Sequence, residues 1–380
     1  MYRNTILFTV IAIITAIPPA EAQHNHAHPD PHIHGREVVF PDIPGYHTMS
    51  TDLHIHTVFS DGSVWPDIRV QEALKDNLDV IAITDHLEYQ PHKADIPHPD
   101  RNRSYEIAAG QVDEEELIII NGSEITRDMP PGHSNAVFVQ DANKLLVDDV
   151  KGAFRAAVEQ DAFTFWNHPS WLSQSDDGTP PLSDLHRELI DEGLLHGIEV
   201  VNHHRYSKEA LQIALDYGLT IIGTSDVHGL IDWDYEVHHG EHRPVTLVFA
   251  KEYSKQGLKE ALFDGRTVVW KEDLLIGREE YLVPLIEASL EITESYYLGD
   301  TSVLQVEIKN STGQTFLLEN KSEYSLHHNT DIITLKPYSI STFQVMTLER
   351  LDQIHWPLEV LNGITAPDTH PVITLETVID

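Results

Sequence analysis

The chain has 380 residues, 41% of them apolar, with 61 acidic against 25 basic side chains and a formal charge of −36. That length buries a sizeable core and suits one large domain followed by a smaller one. The acidic balance excludes a nucleic-acid surface or an anionic-membrane surface, each of which needs a basic footprint. The absence of cysteine excludes disulfides, thiolate metal ligands, a thiol nucleophile and a lipoprotein anchor.

Residues 1–22 read as a secretory signal: Arg3 gives a positive start, residues 5–17 are apolar, Pro18-Pro19 end the run, and Ala20-Glu21-Ala22 supplies a cleavage site before Gln23. The expected mature protein is therefore exported, periplasmic or secreted, with no membrane anchor after cleavage. Residues 23–48 read as a tail and linker, opening on the His-rich tract 23–34. That tract is either a merely solvated tail or a weak store of metal ions, and both readings stay open.

From residue 49 to residue 272 short apolar runs alternate with helix-like stretches, the signature of repeated βα units. Residues 78–83, 117–121, 163–166, 197–201 and 219–222 read as buried parallel strands, and 244–250, 254–264 and 267–270 as a last strand, helix and strand. Helical periodicity covers 66–76, 104–112, 147–160, 183–192 and 207–217, with Pro66 suited to a first helical turn and Ser183 and Ser207 to N-caps.

The run Asp52-Leu53-His54-Ile55-His56 alternates as a strand does, so both imidazoles leave one face, and Asp61 follows on a Ser-Asp-Gly turn. Imidazole plus carboxylate is the ligand set of a borderline divalent ion such as Zn, Mn or Fe. The same chemistry recurs after successive strands. Asp85 and His86 follow 78–83, Glu124 follows 117–121, His168 follows 163–166, and Asp226 and His228 follow 219–222. In a β/α barrel those strand ends converge on one rim, where active sites are built. His133 departs from the pattern, because it precedes the run 134–139.

Asp52-Leu53-His54-Ile55-His56, Ser60-Asp61-Gly62, Thr84-Asp85-His86, Gly122-Ser123-Glu124, Gly132-His133, Asn167-His168-Pro169 and Ser225-Asp226-Val227-His228 resemble, in order, the motifs of the PHP (polymerase and histidinol phosphatase) superfamily. The resemblance implies an α/β fold, a distorted seven-stranded TIM-like (β/α)7 barrel over 49–272, with two or three divalent ions. It implies one ion on His54, His56, Glu124 and Asp226, a second on Glu124, His133 and His168, and a third on Asp61, His86 and His228. Ser63-Val64-Trp65-Pro66, His86-Leu87-Glu88-Tyr89, His92-Lys93 and Asn102-Arg103-Ser104-Tyr105 resemble a narrower group, the exported Sb-PDE-type phosphodiesterases.

The activity this implies is hydrolysis of small organic phosphate diesters by a metal-bound hydroxide. His203 and His204 are candidate proton donors to the leaving group, with Arg205, Arg103 and Arg243 as candidate phosphate contacts. Asp85 is expected to orient a ligand histidine. A phosphomonoesterase or a cyclic-phosphodiester hydrolase on the same ions is the nearest alternative, and a non-catalytic exported zinc-binding protein is one of another class. From residue 273 to 380 the texture changes to alternating runs such as 302–309, 315–319 and 340–347, which read as a small all-β, sandwich-like domain without chemistry.

Overall fold

The computed structural model describes residues 36–96 and 98–379. The expected signal over 1–22 and the His-rich tract over 23–34 lie outside the described residues. The large domain is built from β1 (His47–Ile55), α1 (Pro66–Lys75), β2 (Val80–Ile83), α2 (Arg103–Ala109), β3 (Ile118–Ile125), β4 (Ser134–Val137), α3 (Val150–Val158) and β5 (Phe163–Trp166). It continues through α4 (Asp184–Asp191), β6 (Gly197–Asn202), β7 (Arg205–Tyr206), α5 (Lys208–Tyr217), β8 (Thr220–Thr224), α6 (Ile231–Asp234), β9 (Val245–Ala250), α7 (Lys255–Phe263) and β10 (Thr267–Lys271). Local chemistry sets the helix starts. Pro66 occupies the first turn of α1, and Ser183, Ser207 and Ser254 accept backbone N–H groups at the starts of α4, α5 and α7.

Strands β1, β2 and β3 pair in parallel, as do β5, β6 and β8, while β4 runs antiparallel between β3 and β5. On the other side β9 is antiparallel to β1, and β10 to β9. Seven strands (β1, β2, β3, β5, β6, β8 and β10) therefore share one direction, with β4 and β9 reversed among them: a distorted (β/α)7 barrel. Side chains rather than a backbone ladder join β8 to β9 and β10. Thr246 Oγ1 bonds both Gly223 N and O at 2.9 and 2.8 Å, and Thr267 Oγ1 donates to Ile221 O at 2.8 Å. Only glycine fits at 223, because a Cβ there would lie 2.2 Å from Val269 Cγ1.

Met49, Leu53, Val80, Ile120, Phe165 and Ile222, drawn from five strands, pack into one cluster. Each precedes a candidate ligand along its strand, so the apolar floor lies below the polar rim; each such burial contributes roughly 1.5–3 kcal/mol. The pairing of β1 with β2 gains one residue between Asp52 and Ile55. This irregularity lies where Asp52 turns to Arg243 and Ser225 while His54 turns to Asp226.

The barrel sheet runs on past residue 272, since β11 (Leu274–Gly277) pairs with β10. An unexpected helix, α8 (Glu279–Ser289), follows, burying Leu282, Leu285 and Ile286. The small domain then comprises β12 (Leu290–Tyr297), β13 (Val303–Asn310), β14 (Phe316–Asn320), β15 (Ser325–Leu326), β16 (Ile332–Leu335), β17 (Ile340–Met346), β18 (Gln353–Val360), β19 (Gly363–Ile364) and β20 (Val372–Val378). Two four-stranded antiparallel sheets, ordered β12-β13-β17-β15 and β16-β14-β18-β20, form a sandwich. It is tied to the barrel by β19, which pairs with β11, and by buried amides: Trp270 Nε1 donates to Gln314 Oε1 at 2.8 Å, and Asn362 Nδ2 to Asp273 O at 2.7 Å. Residues 36–48, expected as part of a linker, also pack on the barrel. Arg36 Nε lies 2.7 Å from Asp76 Oδ1, and Val38 and Ile43 are buried.

Candidate metal centre

Nine candidate ligands meet at one rim. His54 and His56 come from the end of β1 and are fully buried. Asp61 is carried by the turn after it, where Ser60 N and Gly62 N both bond Thr57 O at 3.1 and 3.0 Å. A Cβ at Gly62 would lie 2.8 Å from that same oxygen, which explains the glycine. His86 follows β2, His168 follows β5, and Asp226 and His228 follow β8. Glu124 lies inside β3 rather than after it, opposite Asn135 of β4, and His133 immediately precedes β4. The reversal of β4 is thus what returns His133 to the rim.

Glu124 stands at the centre. Its Oε1 is 3.0 Å from His133 Nδ1 and 3.2 Å from His168 Nε2, and its Oε2 is 2.5 Å from His86 Nδ1. His54 Nε2 and His56 Nε2 face each other at 3.0 Å, and Asp226 Oδ1 lies 3.2 and 3.1 Å from them. Asp61 reaches His86 Nε2 at 3.4 Å and His228 Nε2 at 3.2 Å. His54, His56 and Glu124 form one compact donor group, His56, Asp61, His86 and His228 a second, and His86, Glu124 and His133 a third. His56 and His86 are each shared between groups, a feature absent from the expected ligand sets.

The charges are interlocked. Burial disfavours ionisation throughout, yet His86 and His54 hold Glu124 well below the ordinary carboxylate range, and His54 and His56 do the same for Asp226. Burial is likewise outweighed at Asp61, where the neighbouring His228 and His86 lower its pKa. Against burial, Asp226, Glu199 and Glu124 push His54 up to about 10, and Glu124 with Asp61 pushes His86 up to about 11. Burial, with His228 and His86 nearby, drives His56 down to about 4.

Glu124 Oε2, Asp226 Oδ1, Asp61 Oδ1 and His168 Nδ1 are buried and make no well-aligned hydrogen bond, the three oxygens having only close contacts to histidine rings. Buried polar atoms are ordinarily satisfied. Four such atoms in one cluster of imidazoles and carboxylates fit divalent cations, whose ligands are lone pairs of this kind.

Surrounding groups orient the cluster. Asn167 Nδ2 donates to Glu124 Oε1 at 2.8 Å, and Asn202 Nδ2 to Asp226 Oδ2 at 3.2 Å. Glu199, in the middle of β6, accepts from His54 Nδ1 at 2.8 Å. Sequence reading missed Glu199; the available signal was a carboxylate inside an otherwise apolar strand, which must find partners when buried. Asp85 reaches a ligand histidine through Ser60, whose Oγ donates to Asp85 Oδ1 at 2.6 Å and lies 3.3 Å from His56 Nδ1. Asp85 also accepts from Thr57 N and Thr57 Oγ1, both at 2.7 Å, and so braces the turn that carries Asp61.

The cluster opens into a cleft of about 910 Å³, whose farther wall is made of Trp171, His203, His204, Arg205 and Tyr206. Arg205 is anchored by Nη1 to Ser170 O at 2.7 Å. Two expected phosphate contacts are corrected. Arg243 is buried and pairs with Asp52 at 3.2 Å and Asp76 at 2.6 Å, because a sequestered guanidinium must be matched by carboxylates. Arg103 is on the surface of α2, paired with Glu106 at 3.1 Å, and does not line the cleft.

A family model described as an Ig-like domain matches residues 290–376, the sandwich. No curated protein matches the chain. Among solved structures, a two-domain protein from Bacteroides vulgatus containing a predicted PHP-like metal-dependent phosphoesterase is 44% identical, with a TM-score of 0.83, covering 90% of this chain and 98% of its own. A protein from Bifidobacterium adolescentis assigned as a metal-dependent phosphoesterase is 17% identical over 47% of this chain and 87% of its own, TM-score 0.36. An amidohydrolase from Chromobacterium violaceum, solved with sulfate, is 15% identical over 47% of this chain and 87% of its own, TM-score 0.34. With the ordered motifs, the barrel and a relative of this identity along nearly its whole length, the chain belongs to the PHP-like metal-dependent phosphoesterases.

Proposed function

We propose that the protein is an exported phosphodiesterase acting on small organic phosphate diesters. The observation that carries the diester reading is the composition of the cleft. Its roughly 910 Å³ leaves room for two ester groups, and Arg205 is the one Arg or Lys among the described residues lining it. A diester carries one negative charge and a monoester close to two, so one guanidinium beside the cluster suits the former. Export rests on the signal-like residues 1–22, and intact mass of protein recovered from the native cell envelope tests it; retained Met1 contradicts it. Among the described residues no helix is long and apolar enough to cross a membrane.

Divalent cations held by the nine residues would lower the pKa of water toward neutrality and neutralise phosphate oxygens. The chain supplies the rest. Glu124, Asp226 and Asp61 stay ionised for the reasons given above. Arg205, held by Ser170, offers its remaining N–H groups to a phosphate oxygen or to the departing group. His203, half-buried at the β6–β7 turn, and His204 beside it stand where a leaving alkoxide can take a proton. Comparing bis(p-nitrophenyl) phosphate with p-nitrophenyl phosphate tests the reading. The diester should be cleaved faster, with monoester accumulating; a wide preference for the monoester overturns the diester assignment and leaves the metal site standing.

A further inference from the structure

Glu199 lines the cleft beside the cluster, yet its carboxylate has nothing left to offer an ion. Its Oε1 takes His54 Nδ1 at 2.8 Å and Thr224 Oγ1 at 2.6 Å; its Oε2 takes the His168 backbone N–H at 2.6 Å and Asn202 Nδ2 at 3.0 Å. A carboxylate has about four acceptor sites, and here all are used. The side chain is fully buried, so those four donors are also what makes its burial tolerable.

We propose that Glu199 is a positioning residue that fixes the tautomer of His54 and anchors two further candidate ligands, His168 and Asp226. A carboxylate that takes four donors only accepts, so His54 Nδ1 carries a proton, and Nε2, facing His56, Asp226 and Glu124, is the ring atom whose lone pair an ion can take. The same carboxylate holds the backbone of His168 at φ 30°, a left-handed conformation that a side-chain-bearing residue rarely adopts. Through Asn202, whose amide spans Glu199 Oε2 and Asp226 Oδ2, it steadies Asp226, which has φ 51°. One buried group on β6 therefore orders candidate ligands that follow β5 and β8 and one that lies on β1.

The chemistry predicts an unusual response to an isosteric change. In Glu199→Gln one oxygen becomes an NH2 group. The His168 N–H cannot accept, so the amide oxygen must stay on that side and the NH2 must face His54 Nδ1 and Thr224 Oγ1. Thr224 can turn its hydroxyl to accept. His54 can accept only by moving its proton to Nε2, where it occupies the lone pair an ion needs. The substitution disables a candidate ligand without touching it.

The inference rests on the cation-binding reading above, and the test separates the two. Zinc is titrated into wild type, Glu199→Gln and Thr224→Val in competition with a chromophoric chelator, and the ring nitrogens of His54 are read by 15N NMR in the zinc-loaded proteins. Wild type should bind zinc with a proton on His54 Nδ1. Glu199→Gln should bind one zinc about 10–100-fold more weakly, with the His54 proton on Nε2. Thr224→Val, which removes one donor to Glu199 and leaves the tautomer alone, should bind within about threefold of wild type. If Glu199→Gln binds zinc as wild type does, or weakens while the proton stays on Nδ1, the positioning role is wrong and the metal site stands. Wild type that binds no zinc overturns both readings. If Glu199→Gln does not fold, zinc-loaded wild type decides alone: His54 with no proton on Nδ1 overturns the proposal.

Discussion

His86 donates its Nδ1 proton to Thr126 Oγ1, 2.8 Å away. The direction follows from Thr126, whose own proton goes to Glu124 O at 3.0 Å, leaving its oxygen only to accept. His86 Nε2, on the side of Asp61 and His228, is thereby the ring atom that can give its lone pair to a cation, which suits the ligand set implied by the sequence motifs. Thr126→Val keeps the shape and removes the acceptor. It should weaken one cation per chain by about 10–100-fold in a chelator competition, with little change in unfolding midpoint. Unchanged affinity for every cation contradicts this role.

Cation uptake should release protons. His54 and His86 are raised to about 10 and about 11, above the ordinary histidine value, so both are charged near neutral pH without cations. A ring nitrogen that binds an ion must first lose its proton, so affinity rises with pH and falls as acid is added. Calorimetric titration in buffers of different ionisation heat should give net proton release. A buffer-independent heat would mean that these rings are not ligands.

The corrected place of Arg243 predicts a stability effect rather than a substrate effect. Arg243→Ala leaves buried Asp52 without a counter-charge and buried Asp76 with Arg36 alone, and should destabilise the fold by about 3–5 kcal/mol. Urea unfolding checks the loss, and KM of the protein that remains folded should be near that of wild type. A raised KM at unchanged stability would return Arg243 to the substrate.

How far the site was readable follows from where its chemistry sits. Ligands such as His54, Asp226 and His228 are polar residues at the ends of apolar strands, so pattern and chemistry point the same way. Glu124 and His133 were harder, because β3 runs on past the apolar stretch and β4 reverses. The fates of Arg243 and Arg103 depend on tertiary partners, Asp52 and Asp76 for one and Glu106 for the other, and only the first pair is far away in sequence. Helix α8 was hidden by Pro284, a residue that breaks helix interiors when nothing else holds them. Here Leu282, Leu285 and Ile286 bury one face and hold it. Residues 36–48 carry the Pro and Gly of a linker, but Arg36 finds Asp76 and the segment is fastened.

His203 should matter in proportion to how badly the leaving group needs a proton. Burial, and next the nearby His204, lower its pKa below the ordinary histidine value. A lowered pKa means that the charged, donating form exists only on the acid side, so help to a poor leaving group fades as pH rises. His203→Ala should reduce kcat for dialkyl phosphates by about 10²–10⁴-fold and for nitrophenyl diesters far less. Equal losses on both substrates would exclude the donor role.

The central claim is that Glu124, touching His86, His133 and His168 at once, joins the donor groups of one hydrolytic metal site. It is tested most directly by kcat of Glu124→Gln on bis(p-nitrophenyl) phosphate at saturating metal. Removing the shared charge should forfeit several kcal/mol of catalysis, a loss on the order of a thousandfold or more. Turnover equal to wild type would contradict the claim.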